Sequence, residues 1–233
     1  MNTEQKTIVW LPGLLCDTSL FTDVSSALNH INHLVFDLPE EESFNALAKT
    51  ILQKISTPSF TLAGLSMGGI LALEIHRQAP EKIEGLILMN TNAKSETENV
   101  SEKRRQFIQD CQSQSIGKAV EKTLIPAQLC ANNRDALLPL VSNMAQNVGM
   151  TKLLSHAKAL ENRDCYLHHL GSIMAPTLII SGKEDSICPV SNHLELFHGI
   201  PNSQLTLLSH CSHLSVLERP RLIAKHIDKW MHV

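Results

Sequence analysis

Phe60-Thr61-Leu62-Ala63-Gly64-Leu65-Ser66-Met67-Gly68-Gly69-Ile70-Leu71-Ala72-Leu73 is the stretch whose reading decides the fold. Its first four residues form a short apolar run that reads as a strand, and 67–78 reads as a helix that stops before Pro80. Between them lies Gly64-x-Ser66-x-Gly68. A serine at such a strand-turn-helix junction projects its hydroxyl from the carboxyl edge of a sheet. The small residues two positions before and after it let backbones approach closely. The new helix aims its first amides and its positive dipole end at whatever reacts there. Alone, the pentapeptide is weak, because ordinary Gly and Ser usage puts one in about one chain in ten of this length. A capping serine in a glycine-rich turn would read the same way, so its surroundings have to decide.

Outward from this stretch, short apolar runs alternate with amphipathic ones. Strand candidates are 8–11, 34–36, 85–89, 177–180 and 205–208; helix candidates are 19–29, 43–55, 190–198 and 219–231. In 43–55 the residues Phe44, Leu47, Ala48, Ile51, Leu52 and Ile55 share one face. The unbroken run Gly85-Leu86-Ile87-Leu88-Met89 predicts a strand buried on both faces. Alternation of this kind predicts an α/β fold with a parallel sheet and right-handed crossovers. From 93 to about 173 the strand signal stops. Helix candidates 101–114, 132–146 and 150–160 follow, with breaks near Pro126 and Gly149. The expected organisation is a core domain of 1–92 and 175–233, with 93–174 as a helical cap inserted between two strands.

Composition excludes several classes. Of 233 residues, 43% are hydrophobic and 18% charged, enough for a sizeable core and unlike a disordered chain. Twenty Lys and Arg against 23 Asp and Glu give a net charge of -3, with no basic excess to neutralise phosphates, so no nucleic-acid partner is expected. No apolar run approaches the roughly 20 residues of a membrane span. Residues 1–7 carry Glu4, with neither a basic start nor a small-residue cleavage site, so no signal peptide and a cytoplasmic location are expected. The six cysteines form no Cys-x-x-Cys pair and read as reduced thiols. Among twelve histidines the nearest groupings are His168-His169 and His210/His213, without zinc-site spacing, so neither metal nor cofactor is expected.

A serine nucleophile needs a base, and the base needs an orienting acid. Ligands of open α/β sheets gather at the carboxyl ends of the strands. Past 177–180 comes Ser181-Gly182-Lys183-Glu184-Asp185, and past 205–208 comes Ser209-His210-Cys211-Ser212-His213. Asp185 with His213 is the preferred acid and base, and Glu184 and His210 compete for the two places. An oxyanion would be held by the backbone amides of Met67, next to the serine, and of Leu14, in the loop 11–17 after the first strand. An ordinary Pro-Gly turn at Pro12-Gly13 is the competing reading of that loop. Lys103-Arg104-Arg105 reads as a solvated helix face in preference to a site for a substrate anion.

Taken together, the chain resembles the α/β-hydrolase fold superfamily along nearly its whole length, and in particular its small bacterial carboxylesterase-like members. The matching stretches are 11–17, 64–69, 85–91, 182–185 and Cys211-Ser212-His213-Leu214-Ser215-Val216-Leu217-Glu218-Arg219-Pro220. The chain order Ser66, Asp185, His213 is that of the superfamily. The resemblance implies serine nucleophile, aspartate orienter and histidine base acting on a small-molecule ester or thioester. A lyase or synthase using the same Ser-His pair, or a ligand receptor on this scaffold, are the alternatives, since fold does not fix substrate. Three departures stand out. Pro12-Gly13 replaces the frequent His-Gly, and Ser212 stands where glycine is common before the histidine, with consequences for the placement of His213. The sequence starts at what would be the family's third strand, so about six strands, all parallel, are expected.

Overall fold

A computed structural model describes residues 6–232. Most of the stretch read for a signal peptide, residues 1–5, lies outside the described residues. Six strands, β1 Thr7–Leu11, β2 Asn32–Val35, β3 Phe60–Leu65, β4 Ile83–Met89, β5 Thr177–Gly182 and β6 Ser203–Leu208, form one sheet in the order β2-β1-β3-β4-β5-β6. Every pairing is parallel. β1, β3 and β5 are buried along their whole length, and β4 exposes only Glu84. Helices cover both faces, so these strands read as continuous apolar runs.

Alternate strand residues face two cores. Ile8, Trp10, Leu65, Ile87 and Ile180 share one buried cluster with Val24 of α1 Thr22–Ala27. Val9, Leu11, Leu62, Leu88 and Ile179 share the other with Leu47 and Ile51 of α2 Phe44–Lys54 and Leu71 and Ile75 of α3 Met67–Gln78. Between β4 and β5 the chain is helical: α4 Glu98–Ser113, α5 Ile116–Ala119, a π-turn Val120–Leu124, α6 Ile125–Gln128 and α7 Arg134–Glu161. Past β5, α8 Val190–Gly199 joins the second core through Leu196. α9 Ser215–Glu218 and α10 Pro220–Met231 join the first through Val216, Ile223 and Ile227.

The helical insert shares the first core: Phe107, Val120, Met144 and Leu153 are buried in the same cluster as Trp10 and Leu65. Elsewhere in the insert, Ile125 is buried too. Ile108, Leu124, Leu137, Leu138 and Leu140 pack against the cluster, and Leu154 is exposed. The break at Gly149 is a kink inside α7 with φ 74°, a backbone that glycine adopts without steric cost. The break expected near Pro126 falls at Leu129, whose backbone is extended, and not at the proline itself. Pro126 sits in the first turn of α6, where a missing N–H costs nothing. Helix between 116 and 128, absent from the sequence reading, is present in short pieces.

Two residues of the basic triplet, Arg104 and Arg105, are tied into ion pairs, and Lys103 is exposed. Arg104 and Arg163 both pair with the buried carboxylate of Glu96. Arg105 meets Glu98 and Glu102 at 2.9 Å and Glu161 at 2.6 Å. All six cysteines are free thiols; Cys16, Cys111, Cys188 and Cys211 are buried. No helix among the described residues is long and apolar enough to cross a membrane.

Candidate active site

The ladder aligns Leu65 with Met89 and Met89 with Ile180, so β3 and β4 end at one level and β5 runs two residues further, to Gly182. Ser66 follows β3 at φ 56° and ψ −116°, a sparsely populated conformation that costs about 1–3 kcal/mol for a residue with a side chain. Its surroundings enforce it. The Ser66 amide donates to Met89 O at 2.9 Å, and Ser66 O accepts from Gly69 N at 2.9 Å and Thr91 Oγ1 at 2.7 Å. A Cβ on Gly68 would lie 2.0 Å from Leu11 O, and one on Gly64 would lie 2.2 Å from Gly68 O. Only glycine at these two positions lets the backbones come that close.

Asp185 and His213 come to this serine from the loops after β5 and β6. His213 Nε2 lies 2.9 Å from Ser66 Oγ, and His213 Nδ1 lies 2.9 Å from Asp185 Oδ2. Asp185 and His213 are buried and Ser66 is half-buried. An ionised carboxylate only accepts, so Nδ1 carries the ring proton and Nε2 accepts from the serine hydroxyl. Asp185 Oδ1 accepts the amides of Ile187 and Cys188, each at 2.9 Å. Burial pushes the Asp185 carboxyl up. The His213 charge and the bonds from His213, Asn90 and Cys188 outweigh it and hold the group below its usual range.

The two competitors brace the site. Glu184 accepts the amides of His210 at 3.1 Å and Cys211 at 2.9 Å. The bond from the Cys211 amide, against a small opposing effect of burial, holds the Glu184 carboxyl below its ordinary value. His210 is exposed, has φ 54°, and offers its carbonyl to Arg219 at 3.0 and 3.2 Å. Ser212 does not displace His213: its hydroxyl donates to Glu184 O at 3.2 Å and its amide donates to Glu218.

Asn90, directly after β4 at φ 47°, escaped the sequence reading. Its Nδ2 donates to Asp185 Oδ2 at 2.9 Å and to Ser212 O at 3.1 Å, and its Oδ1 accepts from Ser215 Oγ. One buried amide thus joins the acid, the histidine loop and α9. The edge rule that located Asp185 and His213, applied to the end of β4, is the signal that would have found it. His193 is a second unanticipated support. Its Nε2 accepts the Thr91 amide at 3.1 Å, and burial pushes its pKa down to about 4.

The loop after β1 lies against the serine, since a Cβ on Gly13 would sit 3.4 Å from Ser66 Cβ. The loop turns through Cys16 N to Gly13 O at 3.1 Å, with Leu15 at φ 59°. Among the described residues, neither the Leu14 nor the Met67 amide has an acceptor.

One group among the described residues brings three metal-ligand atoms within 4.8 Å: His30, Asp228 and His232. His30 precedes β2, which places the group at the amino edge of the sheet, opposite Ser66. His232 Nδ1 donates to Asp228 O at 2.7 Å there. Two cavities lie away from Ser66. One of about 400 Å³ is bordered by Cys130, Asn133, Glu184 and Ser212, and one of about 280 Å³ by Leu73, His76, Tyr166 and Leu170.

Residues 22–220 match the family model of the alpha/beta hydrolase fold. The chain belongs to the α/β-hydrolase fold family. It is a hydrolase of that family, as its relatives' names agree. Human monoacylglycerol lipase ABHD6 is 30% identical, with 96% of this chain and 74% of that protein covered. RutD of Agrobacterium fabrum, a candidate carbamate hydrolase, is 26% identical over 91% of this chain and 84% of its own length. Among solved structures, an enol-lactonase from Burkholderia xenovorans LB400 superposes with a TM-score of 0.89 at 21% identity, covering 99% of this chain and 92% of that one. A thermophilic esterase from Thermogutta terrifontis superposes with 0.88 at 22%, covering 97% and 89%. These last two show a shared fold.

Proposed function

We propose that the protein cleaves a carboxylic ester or thioester of a small molecule through Ser66, His213 and Asp185 and a covalent acyl-enzyme. The observation that carries the reading is the unbroken relay Ser66 Oγ to His213 Nε2 and His213 Nδ1 to Asp185 Oδ2, each 2.9 Å. Ser66 Oγ attacks the acyl carbon as His213 takes its proton. The unengaged amides of Leu14 and Met67 receive the oxyanion, and their lack of competing acceptors favours that role. His213 then protonates the leaving alcohol or thiol. Water activated by the same imidazole releases the acid and restores Ser66. Asp185 keeps Nδ1 protonated and stabilises the imidazolium, a task suited to a carboxyl held ionised. This chemistry draws on no cofactor or metal, and the partner is the small-molecule ester. Residues 93–174 act as the cap that selects the acyl group. The six free thiols suit the cytoplasm.

Intact mass after treatment with a fluorophosphonate is the deciding measurement. One adduct on the wild type and none on Ser66→Ala is expected, with p-nitrophenyl ester turnover lost in the variant. No adduct on folded wild type, or an esterase rate retained by Ser66→Ala, would overturn the reading.

A further inference from the structure

The loop that carries His213 is held by its own amides. His210 N and Cys211 N donate to Glu184, Ser212 N donates to Glu218, and Leu214 N donates to Gln128 O at 3.1 Å. Two of these four anchors lead out of the core. Gln128 ends α6 of the insert. Glu218 spends its other oxygen on the insert as well: Oε1 accepts Cys130 N and Asn133 Nδ2, both at 2.8 Å. One half-buried carboxylate at the end of α9 therefore joins segment 130–133 to the amide immediately before His213.

We propose that Glu218 is a positioning residue that makes the placement of His213 depend on docking of insert segment 128–133. The inference rests on the Ser66–His213 reading above. Hydrogen bonds to an ionised acceptor are the stronger kind, and here three donors converge on one carboxylate. When the segment lifts, Leu214 N loses its acceptor and Glu218 keeps a single donor. His210, at φ 54°, is then a strained point where the loop can relax. The 400 Å³ cavity bordered by Cys130, Asn133, Glu184 and Ser212 gives the segment room to do so. A general base works only within hydrogen-bond reach of its proton, about 2.6–3.2 Å, so a shift of His213 by less than 1 Å stops the transfer. The base is thus in place when the insert is seated, an induced-fit arrangement in which a substrate that seats the insert completes the site.

Two variants test the link from its two ends. Glu218→Gln keeps the shape and removes the charge. Asn133→Asp alters only the insert and sets a second carboxylate against Glu218. Both are assayed well below the melting transition for kcat and KM, for the rate of fluorophosphonate attachment to Ser66, and for the downfield proton resonance of His213 Nδ1–H. The expected result is a fall of about 10–100-fold in kcat and attachment rate, the scale set by a misplacement near 1 Å, with KM within about twofold and the resonance shifted or broadened. Wild-type kcat and resonance in Glu218→Gln overturn the inference. So does a loss confined to Glu218→Gln with Asn133→Asp unaffected, since Glu218 then braces the loop without the insert. If Glu218→Gln does not fold, Asn133→Asp decides alone. An unlabelled wild type is a different failure, that of the serine-hydrolase reading itself, and the inference falls with it.

Discussion

At the Ser66 turn, position is set mainly by the backbone; in the insert it is set mainly by side-chain pairs. Ser66 is placed by strand ends, by glycines where an added Cβ would lie 2.0–2.2 Å from a neighbouring carbonyl oxygen, and by the bond its own amide donates to Met89 O. The insert is tied by Arg104 and Arg163 on buried Glu96, by Arg105 on three surface carboxylates, and by apolar contacts into the core it shares with the sheet. A region held through its backbone admits few sequences and keeps atoms in fixed places. A region held by side chains can be rewritten while its general shape survives. That division suits a scaffold whose chemistry is constant and whose substrate is not.

The comparison is broken most severely at Asp185. Asp185→Asn keeps the shape and favours the wrong tautomer of His213, so turnover of a p-nitrophenyl ester is expected to fall about 10⁴-fold with little change in melting. A variant within tenfold of wild type would show that the acid merely packs. In the insert, Glu96→Gln leaves two arginines facing each other without a counter-charge; side-chain exposure of Glu96 is 1%. Loss of one partner of a buried pair costs about 3–5 kcal/mol, here in stability, read by denaturant unfolding. Retained turnover in the surviving folded fraction would confirm the division between the regions.

A smaller effect is expected from His193, which is buried beside the β4 end. Its folded pKa of about 4 lies below the ordinary 6.5, so the unfolded chain binds a proton that the native protein refuses. The stability is fully present above pH 6.5 and drains as pH falls toward 4, by about 3 kcal/mol at the limit. Melting between pH 7 and pH 4.5 should therefore steepen downward in the wild type and less so in His193→Gln. Equal slopes would mean another group dominates. The smallest effect is that of Arg105→Ala: its carboxylate partners are in solvent, and the unfolding midpoint should stay where it is.

The same division explains what the sequence made legible. Ser66, Asp185 and His213 could be located because each follows an apolar strand at a common edge, a rule that depends on backbone topology alone. β2 was read two residues late because its first residues, Asn32 and His33, are polar and lie on an exposed edge strand. Helix at 116–128 was missed because it is broken into short turns, one of them π, that carry no sustained 3.6 period. Asn90 and Glu218 were unread for a different reason. The partners that give them meaning, Asp185 and Asn133, lie 95 and 85 positions away in the chain. The Glu96–Arg163 pair spans 67 positions in the same way, so the place of Arg104 beside a buried carboxylate was unread, whereas Lys103 is exposed and Arg105 meets surface carboxylates.

The cysteines supply a way to watch the two regions separately. Burial pushes the thiols of Cys16 and Cys188 in the core up to about 12, and those of Cys111 and Cys130 in the insert up to about 11. A thiol in that state reacts slowly with alkylating reagents at neutral pH, and chiefly when its surroundings open. The wild-type chain thus carries its own set of exposure clocks. Timed alkylation read by peptide mass reports how often the insert breathes apart from the sheet, with no label or tag introduced.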